Sequence, residues 1–266
     1  MTLDAAVVEE VQAALSRIER EQSCLICLAV ESGSRAWGFE STDSDYDVRF
    51  VYLRPWDWYL STNLEERRDV IELPISDQLD VSGWDLRKAL RLLRKSNPPL
   101  LEWLRSPLLY REHPSIAGNL RQLAPQFYSP RACFHHYLHM AEGNFREYLR
   151  GETVWRKKYF YVLRPLLAMR WIENDLGPVP MEFSRLLETV KSAKLLEDIH
   201  QLLADKRAGV ELDEGPRIAL ISDFIEAELV RAQQLAEPRL AQVAEQDALD
   251  QFFRTSLLEA WGAMPA

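Results

Sequence analysis

Two aspartates one residue apart, Asp45 and Asp47, lead straight into Val48-Arg49-Phe50-Val51-Tyr52, a run rich in β-branched and aromatic residues. Such a run reads as a strand. Side chains two apart on a strand project from one face, their Cα atoms roughly 6.5–7 Å apart. Flexible carboxylates close that gap onto a metal pair, whose ions stand about 3.5–4 Å apart in two-metal sites. Ten residues ahead of Asp45 stands Gly33-Ser34, a bend at the end of another apolar run. A Gly-Ser bend presents backbone N–H groups and a hydroxyl to anionic oxygens. A turn alone explains the Ser, Thr and Asp cluster at 41–47, but not why its carboxylates run on into the strand.

Composition narrows the rest. A chain of 266 residues makes one large domain or two of ordinary size, and 47% hydrophobic residues suffice for a core. A net charge of −9 opposes broad, non-specific nucleic-acid binding while leaving room for a local basic site. There is no run of 18 apolar residues, so no membrane helix and no membrane partner are expected. Met1-Thr2-Leu3-Asp4 lacks the basic and apolar regions of a secretory signal, which suggests a cytoplasmic protein. Cys24 and Cys27 imitate a CxxC motif, but they sit inside Cys24-Leu25-Ile26-Cys27-Leu28-Ala29-Val30. A buried strand with its cysteines on opposite faces is the expectation there.

The periodicity predicts a helix over 5–20, strands over 23–31, 46–53, 68–75 and 78–82, and a loop with one helical turn over 33–44. A short turn follows at 56–61. Asp85 reads as the N-cap of a helix over 86–95, and Asn97-Pro98-Pro99 breaks the chain before another over 99–105. From 112 onward the pattern is helical, over 114–124, 130–150, 154–175, 182–190, 192–206, 215–235 and 247–260. Residues 236–249 read as a loose connection. The expected division is a mixed α/β domain over 1–112 and an all-α domain over 113–266, an α+β chain overall.

Asp80 is the third candidate carboxylate. It lies between Leu79 and Val81 in a strand where an unpaired charge is costly. On a neighbouring strand it would share a metal or take a proton from an attacking hydroxyl. Asp77 and Asp85 compete for the role, and Asp43 shares the parity of Asp45 but falls in the loop. Arg35 is within reach of a phosphate, and Arg49 faces the same way as Asp47 as a partner for a carboxylate. Trp37, Phe39, Trp56, Trp58 and Tyr59 suit packing more than base stacking. Downstream, Lys157, Tyr161 and Arg164 would share a helix face beside Lys158, with Pro165 bending the helix.

These residues resemble the DNA polymerase β-type nucleotidyltransferase superfamily, through Gly33-Ser34, Gly38 and Ser44-Asp45-Tyr46-Asp47. The resemblance is closer to the RNA-repair-associated (RlaP-type) nucleotidyltransferases. It rests there on Gly33-Ser34-Arg35-Ala36-Trp37-Gly38, Asp80-Val81-Ser82-Gly83-Trp84-Asp85-Leu86-Arg87-Lys88, Lys95-Ser96-Asn97-Pro98 and the run from Lys157 to Pro165. It implies a small mixed sheet with helices on one side, followed by a helical substrate domain. It implies transfer of a nucleoside monophosphate from an NTP, ATP foremost, with release of pyrophosphate. Asp45, Asp47 and Asp80 would then be catalytic and bind two Mg²⁺ ions, with Mn²⁺ as a substitute. Gly33, Ser34, Arg35, Lys157, Lys158, Tyr161 and Arg164 would bind the nucleotide. An RNA acceptor (tRNA or a broken end), a protein acceptor, and a nucleotide-binding module without turnover remain the three readings.

Overall fold

The computed structural model describes residues 3–41, 44–76, 78–210, 212–235 and 246–264. Asp43, Asp77 and residues 236–245 of the expected connection lie outside the described residues. The chain forms two compact units. The first takes in the described residues up to Ala36, then Asp45–Tyr128 and the C-terminal helix; the second takes Trp37–Ser44 and the described residues from Ser129 to Leu235. These differ from the expected 1–112 and 113–266 at three places, the first being the passage of Trp37–Ser44 to the second unit. The first unit runs sixteen residues beyond 112, and it recovers the last helix.

In chain order the first unit begins with α1 (Ala5–Gln22), β1 (Leu25–Glu31) and α2 (Gly33–Trp37), whose last residue opens the second unit. Next come β2 (Tyr46–Leu53), α3 (Trp56–Tyr59), β3 (Val70–Glu72), β4 (Leu79–Asp85), α4 (Leu86–Arg94), α5 (Pro98–Trp103), β5 (Leu109–Glu112) and α6 (Pro114–Leu123). The second unit holds α7 (Pro130–Tyr148), β6 (Thr153–Trp155), α8 (Tyr159–Glu173), α9 (Phe183–Leu186), α10 (Ala193–Arg207), β7 (Glu214–Pro216) and α11 (Ala219–Leu235). The helix α12 (Gln246–Trp261) returns to the first.

The five strands of the first unit lie in the order β3-β4-β2-β1-β5. The β2–β4 pair is parallel and the other pairs antiparallel, so the sheet is mixed and the fold α+β. Most helices gather on one face, where Val30, Val51 and Leu53 pack with Leu86, Leu93, Leu120, Leu249 and Leu257 from α4, α6 and α12. The opposite face is covered by α1, whose Val11, Leu15 and Ile18 meet Ile26, Val48, Phe50 and Val81. The β1–β2 register shifts between Ile26 and Leu28. The three-residue spacing puts Cys27 on the many-helix side and Cys24 on the α1 side, and the bulge brings Leu28 onto the same face as Cys27. Both thiols are free and buried, and burial pushes Cys24 up to about 12 and Cys27 well above its ordinary value. They behave as core residues.

The second unit departs from the sequence reading in three stretches, over 154–158, 182–190 and 215–218. The helix expected over 154–175 starts only at Tyr159. Before it, Thr153–Trp155 pairs antiparallel with Glu214–Pro216, and Arg156–Lys158 makes one 3-10 turn. Val154 alone of that strand is buried, a period of two that the charged residues downstream conceal. The helix expected over 182–190 likewise divides into α9 and a 3-10 turn at Leu187–Thr189. Among the described residues no helix is long and apolar enough to cross a membrane.

Asp85 does cap α4. Its Oδ1 accepts from Arg87 N at 2.8 Å and its Oδ2 from the Tyr59 hydroxyl at 2.8 Å. Burial pushes its carboxyl from 3.8 up to about 6, against the pull of those hydrogen bonds. The folded state therefore holds this proton more tightly than the unfolded chain does. Its contribution is fully present below pH about 4 and fades as the pH rises to about 6, a change of up to about 3 kcal/mol. Asp85→Asn keeps the cap and removes the titration. Urea unfolding at pH 4.5 and pH 7 is expected to show a smaller pH difference in the variant than in wild type.

Candidate active site

The parallel β2–β4 register sets Asp47 directly opposite Asp80. Both carboxylates are about two-thirds covered, and one guanidinium joins them. Arg49 Nη2 lies 2.9 Å from Asp47 Oδ1 and 2.7 Å from Asp80 Oδ2, while its Nη1 donates to the Asp80 carbonyl at 2.8 Å. The strand alternation that places Arg49 on the face of Asp47 is the reason it can reach both.

The Gly-Ser bend is fixed to the same spot. Ser32 N donates to the Asp47 carbonyl at 2.9 Å. Gly33 has φ +59°, and a Cβ there would stand 1.9 Å from Asp47 Oδ2. Only glycine permits this backbone conformation and this closeness to the carboxylate together. Ser34 follows in α2. Arg35 stacks its guanidinium 3.7 Å over the Tyr46 ring, and its Nε donates to the Asp45 carbonyl at 3.3 Å. Asp45 itself is exposed, one residue before β2.

Two residues join this site that the sequence reading did not single out. Glu31, at the end of β1, is fully buried. Its Oε1 accepts from Asp47 N at 3.0 Å and its Oε2 from the Tyr110 hydroxyl at 2.6 Å. Burial pushes its carboxyl up to about 7, opposed by those two hydrogen bonds. A charged residue closing an otherwise apolar strand was the available signal.

Among the described residues, no group of three or more His, Cys, Asp or Glu side chains stands ready to hold a metal ion. Mg²⁺ does not require one, because it takes one or two carboxylates and completes its shell with substrate phosphates and water. Asp47 and Asp80, hard oxygen donors side by side and partly open to solvent, fit that demand.

The remaining nucleotide-binding candidates lie in the second unit. Lys157 is exposed and belongs to the 3-10 turn, so it does not share the face of α8 with Tyr161 and Arg164. Lys158 Nζ sits 4.4 Å from the Tyr148 ring and 4.8 Å from that of Tyr161. Tyr161 meets Trp37 edge-on, at 5.7 Å. Arg164 is buried, with its guanidinium 4.7 Å over Trp37 and Nη2 donating to the Met181 carbonyl at 3.3 Å. Phe39, stacked 4.8 Å from Phe160, is core.

Comparison with known families decides the affiliation. The profile of RlaP, described as the RNA repair pathway DNA polymerase beta family, matches residues 7–255. The chain belongs to the RlaP family. This RlaP chain is accordingly a nucleotidyltransferase of the polymerase β type. It is 48% identical over 249 residues to the "uncharacterized protein YcgL" of Bacillus subtilis (strain 168), covering 93% of this chain and 95% of that one. A solved nucleotidyltransferase-like protein from Exiguobacterium sibiricum aligns over 94% of the RlaP chain and 90% of its own, at 12% identity and a TM-score of 0.33. That likeness is too low to bear on the fold.

Proposed function

We propose that this RlaP protein transfers a nucleoside monophosphate from an NTP, ATP foremost, to a hydroxyl of RNA. The observation that supports this most is the meeting of Asp47 and Asp80 across β2–β4, with the Gly33 backbone pressed against Asp47. In the reaction an acceptor oxygen bonds to the α-phosphorus, the bond from that phosphorus to the β-phosphate bridge breaks, and pyrophosphate leaves. Asp80 takes the proton of the attacking hydroxyl, which its partly open position allows. Gly33 and Ser34 receive the β- and γ-phosphates through N–H and hydroxyl donors. Arg35 lends positive charge beside them. Lys157, Lys158, Tyr161 and Arg164, which the family resemblance implies as nucleotide contacts, belong to the second unit, where Arg164 is buried. Asp47 and Asp80, with Asp45 just ahead of them on the chain, would hold Mg²⁺ (or Mn²⁺), which when bound would neutralise phosphate charge and activate the nucleophile. Arg49 keeps Asp47 and Asp80 from repelling each other before the nucleotide arrives.

The test offers each of four α-labelled NTPs, with Mg²⁺ or Mn²⁺, to total RNA and to total protein in separate reactions. Label is expected in RNA, with matching pyrophosphate, and none with Asp45→Ala/Asp47→Ala. Label confined to protein would replace the RNA acceptor by a protein hydroxyl. Nucleotide binding without pyrophosphate from any NTP would reduce the protein to a binding module.

A further inference from the structure

The helix α4 and its C-cap carry Arg87, Lys88, Arg91, Arg94 and Lys95, and no acidic residue. That is unusual in a chain with 41 acidic residues and 32 Lys and Arg. Arg87, Arg91 and Arg94 follow i, i+4, i+7 and so form one row about 10 Å long. The apolar residues of the helix point the other way, with Leu86, Ala89, Leu90 and Leu93 buried, so the row is presented outward. Arg91 and Arg94 are exposed.

Six cations, Arg67, Arg68, Arg87, Lys88, Arg91 and Arg94, line the hollows beside this row, against four acids, Glu65, Asp69, Asp85 and Asp250. Glu65 serves two of the guanidiniums, at 2.6 Å from Arg87 and 3.4 Å from Arg91. A hollow lies on either flank of the row, and Arg87 and Arg91 line both. One, of about 60 Å³, adds Arg67, Arg68 and Lys88 and the acids Glu65, Asp69 and Asp85. The other, of about 390 Å³, adds Arg94, Asp250 and the apolar Leu90, Leu249 and Phe253.

We infer that the α4 row is a docking ridge for the sugar-phosphate backbone of RNA. The inference deepens the RNA-acceptor reading above and rests on it. Guanidiniums are matched to phosphate by their planar fork of donors. The row is as long as about three nucleotides of one duplex strand measured along the axis, so it engages two or three phosphates. A flat anionic bilayer suits it less well. The row is narrow and Glu65, Asp69 and Asp250 flank it, so a broad negative surface would be brought against carboxylates.

The test measures binding of a fluorescein-labelled 20-nucleotide RNA hairpin by anisotropy, without nucleotide, over a series of KCl concentrations. Arg91→Gln/Arg94→Gln is compared with wild type and with Arg17→Gln/Arg20→Gln, which removes the same charge from the exposed side of α1. The α4 variant is expected to bind about tenfold more weakly, with a log–log salt slope shallower by roughly 1.5. The α1 variant is expected to bind as wild type does. Equal binding by all three, equal weakening in both variants, or no RNA binding by wild type overturns the ridge. So does retention on phosphatidylserine vesicles, rather than on RNA, that depends on Arg91 and Arg94. Because binding is read without catalysis, the two readings fail separately. RNA labelling with ridge-independent binding sinks only the ridge, and ridge-dependent binding with no turnover of any NTP sinks only the transfer.

Discussion

Asp47→Asn is expected to lower nucleotidyl transfer by at least about a thousandfold while leaving the fold in place. Asparagine keeps the shape of the side chain, and Arg49 retains its 2.7 Å contact with Asp80. Asp47 pairs with Arg49 near the surface, and such pairs contribute about 1 kcal/mol or less to stability. Chemistry is affected far more. A divalent ion held by carboxylates supplies several kcal/mol of transition-state stabilisation, and each 1.4 kcal/mol is about tenfold in rate. An amide in place of the carboxylate withdraws a negative charge from the point where β2, β4 and the Gly-Ser bend meet. The measurement pairs initial rates of pyrophosphate release with the thermal midpoint. A variant keeping a tenth of the wild-type rate would remove Asp47 from the reacting centre.

Gly33→Ala acts on the same carboxylate without touching it chemically. At φ +59° an L-residue carries a strain of about 1–2 kcal/mol. The new methyl would also stand 1.9 Å from Asp47 Oδ2, so either the bend or the carboxylate has to move. A displacement near 1 Å at a reacting centre costs on the order of 10²-fold in rate. The expected result is a rate loss of that size with a modest fall in unfolding free energy. Ser34→Ala, which removes a hydroxyl and displaces nothing, is expected to lose less. If Gly33→Ala turned over like wild type, the contact between the bend and Asp47 would have no part in the reaction.

Much of the sheet around Asp47 was legible because its signals are local. The strand β2 runs from Tyr46 to Leu53 as the pattern predicts, and the Arg49 partnership follows from a period of two. Asp85 announced its cap. The strand β5 was missed because Leu109-Tyr110-Arg111-Glu112 shows no apolar alternation. Arg111 is held there by Gln12, Ser16 and Glu19 of α1, partners nearly a hundred residues away. Glu31 was missed for a related reason. A carboxylate ending a strand reads as a solvent-facing residue until Tyr110 and the Asp47 amide are seen beside it. The hairpin of β6 with β7 joins segments some sixty residues apart, so neither strand carries a signal of its partner. The return of α12 to the first unit is equally non-local.

That return has a consequence for how the protein is born. Leu249 and Leu257 of α12 complete a core otherwise made by β1, β2, α4, α5 and α6. The ribosome releases them after every other residue of that core. Throughout synthesis the amino-terminal unit waits with an open apolar seam while the whole of the inserted unit emerges. A nascent chain halted anywhere before Gln246 leaves that seam uncovered and becomes a client for holding chaperones.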